Sequence, residues 1–411
     1  MFQKATLSVV KTKPMITVKE AEQIILSHQK DFGVECLPFL LAQGRVLAEN
    51  ILADRDFPPY DRVTMDGIAI RYADFAAGNR HFPIAATQAA GDAPPISLAD
   101  NACLEIMTGA ALSPATDTVI PYENLHITEG VASIVQDTIK PGQNIHRKGR
   151  DRQQGEVVMN AGQVIGPAQI AIAATVGKSE LWVKKLPRVV VLSSGDELVD
   201  VNDTPLPYQI RRSNNFSTYA VLKQYGIEAE MLHLPDDLAL ITREVARLQL
   251  DFEVILLSGG VSMGKFDYIP KALEATGVQK HFYKVRQRPG KPFWFGTFGE
   301  NGVVFALPGN PVSTFLCLNR YVLPWLEVSL GFPPAAPSFA RLEKPVQFAP
   351  QLLYFMQVKL KQDHKARLWA EPLEGQGSGD FANLLDADAF LELPLERTDF
   401  LAGEVFRVVR F

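Results

Sequence analysis

Apolar positions change their spacing along this chain. Near the start, "TVKEAEQIILSHQ" places Ala21, Ile24, Ile25 and His28 on one helical face, with Thr17 and Glu20 in capping-box spacing. The pattern predicts that the first 50 residues are helical, with His28 in the packed face. From about Val46 to Lys140, short β-rich runs alternate with Gly, Pro, Asn and Asp, as in "VLAENILADRDFPPYDRV" and "VASIVQDTIKPGQN". That texture predicts a β domain. "QIAIAATVG" then returns to helix.

From Arg188 the pattern becomes regular. "VVVLSSGDE" reads as a buried strand ending in a loop, and "SNNFSTYAVLKQYG" as a helix closed by Gly226. "EAEMLHLPDD" and "FEVILLSGG" read as strands, and "LALITREVARLQL" and "YIPKALEATG" as helices. This alternation predicts a parallel sheet with helices on both faces, and such sheets bind ligands at the carboxyl ends of their strands. "NPVSTFLCLNRYVLPWLEVSLG" reads as a long apolar closing helix and "FPPAAP" as a linker. The expected organisation is multidomain α/β and β. Residues 1–48 and 145–186 form a discontinuous mixed N-terminal domain, and 49–144 an inserted β domain. Residues 187–332 form an α/β domain with a parallel-type sheet, and 337–411 a small β domain.

Composition narrows the function classes. The 411 residues are 47% hydrophobic and 21% charged, as in ordinary globular proteins. Lys+Arg 41 against Asp+Glu 46 leaves −5, so no broad basic surface points to nucleic acid. The three cysteines make no C-x-x-C pair, and an odd count argues against a disulfide framework. The first residues lack a signal-peptide apolar core, and no apolar run reaches the roughly 18 residues of a membrane helix. A cytoplasmic location without membrane contact is expected. The seven histidines are scattered, giving a zinc site little support.

Candidate chemistry sits where strands end. "SSGDEL" sets Asp196 and Glu197 side by side after a buried strand; they suit Mg²⁺, and equally a helix cap. From Gly259, "GGVSMGK" follows a phosphate loop until Phe266, where a metal-binding hydroxyl would stand. Gly259 and Gly260 allow backbone N–H groups to approach a phosphate; Asp267 is a ligand, a base or a cap. In "RQRPGKP", Arg288 and Lys291 flank a Pro-Gly turn, which suits a small oxyanion or a solvated turn. "ALPGNPVS" puts Pro311 at a helix start, with Ser313 following, as an anion seat or a plain turn. Far away in sequence, "PPYDRVTMDG" crowds Asp61, Arg62, Thr64 and Asp66 into a turn, and "IMTGAA" adds Thr108.

Taken together, T-M-D-G, I-M-T-G-A, G-Q-N-I-x-R-x-G-x-D, S-x-G-D-E-L, S-G-G-V-S-x-G-x-x-D-Y, R-P-G-K-P-F and L-P-G-N-P-V-S resemble the molybdopterin molybdenumtransferase (MoeA) family, related to the gephyrin E-domain. The resemblance covers about residues 15–410, including "GQGSGDFANLLDADAF" with Ser378. It implies a MogA-like central domain, a β-barrel-like C-terminal domain and a homodimer whose cleft joins the third domain of one subunit to the second domain of the other. It implies a Mg²⁺-dependent transfer of molybdate into adenylylated molybdopterin with release of AMP. An adenylyltransferase and apo-molybdoenzymes are the implied protein partners.

By motif, the resemblance makes Asp66, Thr108, Glu197 and Asp267 catalytic and places Asp151 near the cleft. It assigns metal binding to Asp196, Glu197, Asp237 and Asp267. Ser194, Gly259, Gly260, Ser262, Arg288, Lys291, Pro308, Asn310, Pro311, Ser313 and Ser378 would contact the pterin nucleotide or molybdate. Two positions depart from the family pattern: Arg288 stands where Lys is common, and Gln357 where many members carry Arg. The rival readings are a MogA-like molybdopterin adenylyltransferase, and a non-enzymatic scaffold of the gephyrin kind.

Overall fold

The computed structural model describes residues 15–261, 268–375 and 377–411. Helix Val18–Ser27 begins with the expected capping box, Thr17 accepting from the Glu20 N–H and Glu20 from the Thr17 N–H. The rest of the first 50 residues departs from the helical expectation. Val34–Pro38 is a strand with alternating exposure, and only a short 3₁₀ turn, Phe39–Ala42, follows. The β-branched and Pro residues there favour extended backbone over helix.

The outgoing and returning chain segments zip together antiparallel. Val34–Pro38 pairs with Glu180–Lys184, Ile51–Leu52 with Val157–Met159, and Arg62–Val63 with Ile145–His146. Their inward residues, Leu47, Ile51, Met159, Ile165, Leu181 and Val183, share one core. Helix Val18–Ser27 instead buries Val18, Ala21 and Ile25 against the central α/β body. Between the zipped segments lies a six-stranded sheet ordered Thr118–Pro121, Gly67–Ile70, Cys103–Ile106, His81–Gln88, Val131–Ile134, Leu125–Thr128.

The central sheet is ordered Glu230–Leu234, Val189–Ser194, Val254–Ser258, Gly302–Leu307, Trp294–Phe298, Gln279–Tyr283. The first four strands are parallel. Trp294–Phe298 alone is reversed and runs antiparallel to both its neighbours, because its connection to Gly302–Leu307 is a tight hairpin that leaves no room for a crossover helix. Both faces are buried. Val189 and Val191 join one core, and Val190 and Leu192 the opposite one, as a period of two requires. Val189–Ser194 lies between its two successors in sequence, so the crossovers leave it in opposite directions. That topological switch opens a crevice at the carboxyl ends of Val189–Ser194 and Val254–Ser258.

The closing helix is interrupted. Pro311–Cys317 passes into a π turn, Leu318–Val322, before Leu323–Ser329 resumes. Pro324 lacks the N–H that would continue the regular ladder. Arg320 on that turn is 3% exposed and pairs with Glu22 at 2.9 Å and Glu392 at 2.8 Å, joining the first helix to the C-terminal domain. That domain is a closed five-stranded barrel: Leu353–Gln362, Leu368–Pro372, Ser338–Leu342, Val405–Arg410, Ala389–Leu393 and back to the first. Met356 and Val358 fill its interior, while Phe355 packs toward the central body.

Candidate functional site

A cavity of about 950 Å³ lies at the switch-point crevice, walled on its far side by the barrel. Five segments build the central-domain side. Ser194–Gly195 and Gly259–Val261 continue two neighbouring parallel strands. Gly259 has φ +95°, and a Cβ there would fall 2.7 Å from the Ser194 carbonyl oxygen, so only glycine lets these loops run this close. The Ser194 hydroxyl is buried at the cavity wall, beside the Asp236 carboxyl.

The acidic corner differs from its sequence reading. Glu197 lines the cavity, and so does Asp236, which motif reasoning passed over. The Asp236 N–H donates to Asp196 Oδ1 at 3.1 Å. Burial raises the Asp236 carboxyl above its ordinary range, and the charges of Asp196 and Glu197 push it further. Asp237 caps helix Leu238–Asp251, its Oδ1 accepting from the Leu240 N–H at 2.8 Å, and does not line the cavity. Ser262 and Asp267 lie outside the described residues. Among the described residues no cluster of three or more histidine, cysteine or acidic side chains is set to hold a metal. Mg²⁺ needs only one or two carboxylates beside phosphate oxygens and water, which Glu197 and Asp236 provide. The charges of Asp196 and Glu197 disfavour ionisation of Asp236, and a cation beside it would favour the ionised form.

The basic corner is seated, not a free hairpin. Gln287–Arg288 pairs in parallel with Leu353 and Tyr354 of the barrel. Fully buried Gln287 braces the turn from beneath, accepting from the Tyr321 hydroxyl and donating to the Gly290 carbonyl at 3.2 Å. Arg288 and Lys291 are exposed toward the cavity from this braced turn. Pro308, Asn310 and Ser313 line the next wall, while Pro311 occupies the first helical position behind them. The barrel closes over this wall. Asn310 Nδ2 donates to Ser378 Oγ at 2.7 Å, and the Val312 N–H to the Ser378 carbonyl at 3.2 Å. That N–H of the expected anion seat is therefore already used. Gln357 shares the outward face with Phe355 and lines the cavity; its Oε1 accepts from Asn383 at 2.7 Å. Its amide nitrogen is the donor this position contributes in place of a cation.

The remaining candidates form a separate group. Gly67 and Ile106 are register partners, so Asp66 and Thr108 meet at adjacent strand ends. The Thr108 N–H donates to Asp66 Oδ1 at 2.6 Å, and its bonds hold the exposed Asp66 carboxyl below the ordinary range. A Cβ at residue 67 would lie 1.9 Å from the Ile120 oxygen, which explains the glycine after Asp66. Asp151 is exposed and 2.8 Å from His146 Nε2. None of Asp66, Thr108 and Asp151 lines the cavity within one chain. Among the described residues no helix is long and apolar enough to cross a membrane.

Comparison with known proteins agrees across all the domains described above. Residues 16–177 match the MoeA N-terminal region (domain I and II), 190–328 a probable molybdopterin binding domain, and 340–411 the MoeA C-terminal region (domain IV). The molybdopterin molybdenumtransferase of Synechocystis sp. is 40% identical over 396 residues, covering 95% of this chain and 99% of that one. That of Haemophilus influenzae is 30% identical over 405 residues, covering 97% and 99%. The crystal structure of the molybdopterin biosynthesis moea protein from Pyrococcus horikosii superposes with a TM-score of 0.83 at 28% identity, covering 97% of this chain and 99% of that one.

Proposed function

The chain belongs to the molybdopterin molybdenumtransferase (MoeA) family, and on that premise we propose that its cavity inserts molybdate into adenylylated molybdopterin with release of AMP, in a Mg²⁺-dependent step. It is a transferase of molybdenum cofactor biosynthesis. The observation that carries the mechanistic reading is the division of one cavity into an acidic corner, Glu197 with Asp236, and a basic turn, Arg288 with Lys291.

The scissile bond is a phosphoanhydride, so positioning and charge neutralisation dominate its cleavage. Glu197 and Asp236, with Asp196 behind them, would hold Mg²⁺, which would supply neutralisation of the phosphate oxygens; Asp267, the other motif carboxylate, lies outside the described residues. The Gly259–Gly260 backbone and the Ser194 hydroxyl face the nucleotide phosphates. Arg288 and Lys291 hold the molybdate dianion, the first as a planar fork and the second as a point charge. Gln357 adds a neutral donor from the barrel.

Asp66 and Thr108 complete the site from the second subunit of a homodimer. Their remoteness from the cavity of their own chain supports this reading, as does a site otherwise walled on one side only by the barrel. We assign residues 49–144 as the unit that reaches across, and place the enzyme in the cytoplasm, where its free cysteines stay reduced.

The test supplies adenylylated molybdopterin, Mg²⁺ and molybdate and measures AMP. Release that rises with molybdate supports the reading. Consumption of ATP with molybdopterin and no molybdate would instead identify an adenylyltransferase.

A further inference from the structure

Strands Val254–Ser258 and Gly302–Leu307 are parallel neighbours, and Ser258 and Leu307 are their last register partners. Beyond that rung the sheet ladder ends and both chains turn into cavity loops, leaving their backbone groups to find other partners. Asn214, the first residue of helix Asn214–Gln224, sits across this gap. Its Nδ2 donates to Ser258 Oγ at 2.8 Å and to the Gly309 carbonyl at 2.7 Å. Neither Asn214 nor Ser258 lines the cavity, whereas Gly309 and Asn310 do.

The carbonyls of this loop are all claimed by the protein. Thr314 Oγ1 donates to the Pro308 carbonyl, Asn214 to that of Gly309, and the Thr314 N–H to that of Asn310 at 2.9 Å. The Asn310 N–H has no acceptor among the described residues. The Gly309–Asn310 peptide is trans, so its C=O and N–H point in opposite directions. Asn214, which takes the carbonyl, does not line the cavity, and the N–H points the opposite way from that carbonyl.

We propose that Asn214 is a positioning residue: by holding the Gly309 carbonyl it aims the Asn310 backbone N–H at an oxyanion in the cavity. This deepens the function proposed above and rests on it. The oxyanion is a phosphate of the nucleotide or molybdate itself, which offer the N–H the same chemistry. The bond to Ser258 only anchors the amide; the bond to Gly309 sets the peptide.

The experiment measures AMP release while molybdate is varied at saturating nucleotide, and nucleotide at saturating molybdate, for the wild type, Asn214→Ala, Asn214→Asp and Ser258→Ala. Removing a charge-assisted contact should raise one half-saturating concentration by about tenfold. The substrate whose value rises identifies the oxyanion. Asn214→Asp should behave like Asn214→Ala, because a carboxylate repels the Gly309 carbonyl while still accepting from Ser258. Ser258→Ala should leave both concentrations within about twofold, since the Gly309 bond remains. Unchanged half-saturation in both Asn214 variants overturns the proposal. So does an equal shift in Ser258→Ala, or a fall in kcat that only tracks a lowered melting temperature. A wild type that releases no AMP would sink the proposed function; an active wild type with unaffected Asn214 variants would sink this assignment alone.

Discussion

The Asp236 backbone N–H donates to the Asp196 carboxylate at 3.1 Å, while the neighbouring Asp237 turns away to cap a helix. Two consecutive aspartates thus have separable duties. Asp236→Asn should raise the Mg²⁺ concentration needed for half-maximal AMP release by at least about tenfold, or 1.4 kcal/mol. Asp237→Ala should leave that concentration unchanged and cost about 1 kcal/mol of stability through the lost cap. Mg²⁺ titrations and denaturant melts of both variants check this, and a reversed pattern would return the metal role to Asp237.

Arg288 and Lys291 project from a turn that buried Gln287 holds rigid, so their spacing is preset for an oxyanion. The double alanine variant should need at least about tenfold more molybdate for half-maximal rate. Gln357→Arg would put a cation on the opposite wall and should lower the requirement. Molybdate titrations of the two variants decide it. Equal values across wild type and variants would remove the clamp.

Asp66 and Thr108 are bound to each other and absent from their own chain's cavity. If they serve a partner's cavity, Asp66→Asn and Glu197→Gln damage different halves of each site. Each variant alone should lose at least about tenfold in AMP release. An equimolar mixture, after subunit exchange, should recover about a quarter of wild-type activity, since half of the dimers then hold one intact site. No recovery in verified mixed dimers contradicts a shared site.

Glu22 is paired with the buried Arg320. Burial opposes its ionisation, but the Arg320 hydrogen bond and charge, joined by Arg407, outweigh burial and hold the carboxyl below 4.5. A depressed carboxyl stabilises the fold above its unfolded value and loses that contribution as pH falls through the folded value. Glu22→Gln should therefore be less stable than wild type at neutral pH, and the difference should close below pH 4.5. Arg320→Ala, which leaves Glu22 and Glu392 only the longer contacts of Arg407 at 3.6 and 3.9 Å, should cost about 3 kcal/mol. Melts across pH measure both.

The central domain was legible because its strands are continuous apolar runs separated by amphipathic helices, the strongest local signal a parallel sheet makes. The antiparallel edge was not, since Trp294–Phe298 is as apolar as a parallel strand. The first 50 residues misled because one capped helix set the reading for a segment whose later half pairs with residues 145–184 far along the chain. Motifs located the cavity loops but not which aspartate of "PDD" faces in, because that depends on where the helix cap falls. Nothing local marks Asn214, whose partners lie 44 and 95 residues away. Nothing local separates the Arg288 turn from a solvated one, because what seats it is a parallel pairing with Leu353 and Tyr354 of the barrel.

The central claim is that this protein makes the molybdenum-loaded cofactor. The most direct measurement incubates it with adenylylated molybdopterin, Mg²⁺ and molybdate, adds an apo-molybdoenzyme and follows that enzyme's activity. Activity that appears only when all components are present, together with stoichiometric AMP, is the predicted result. AMP release without any activation, or activation equal to that obtained when the protein is left out, would contradict it.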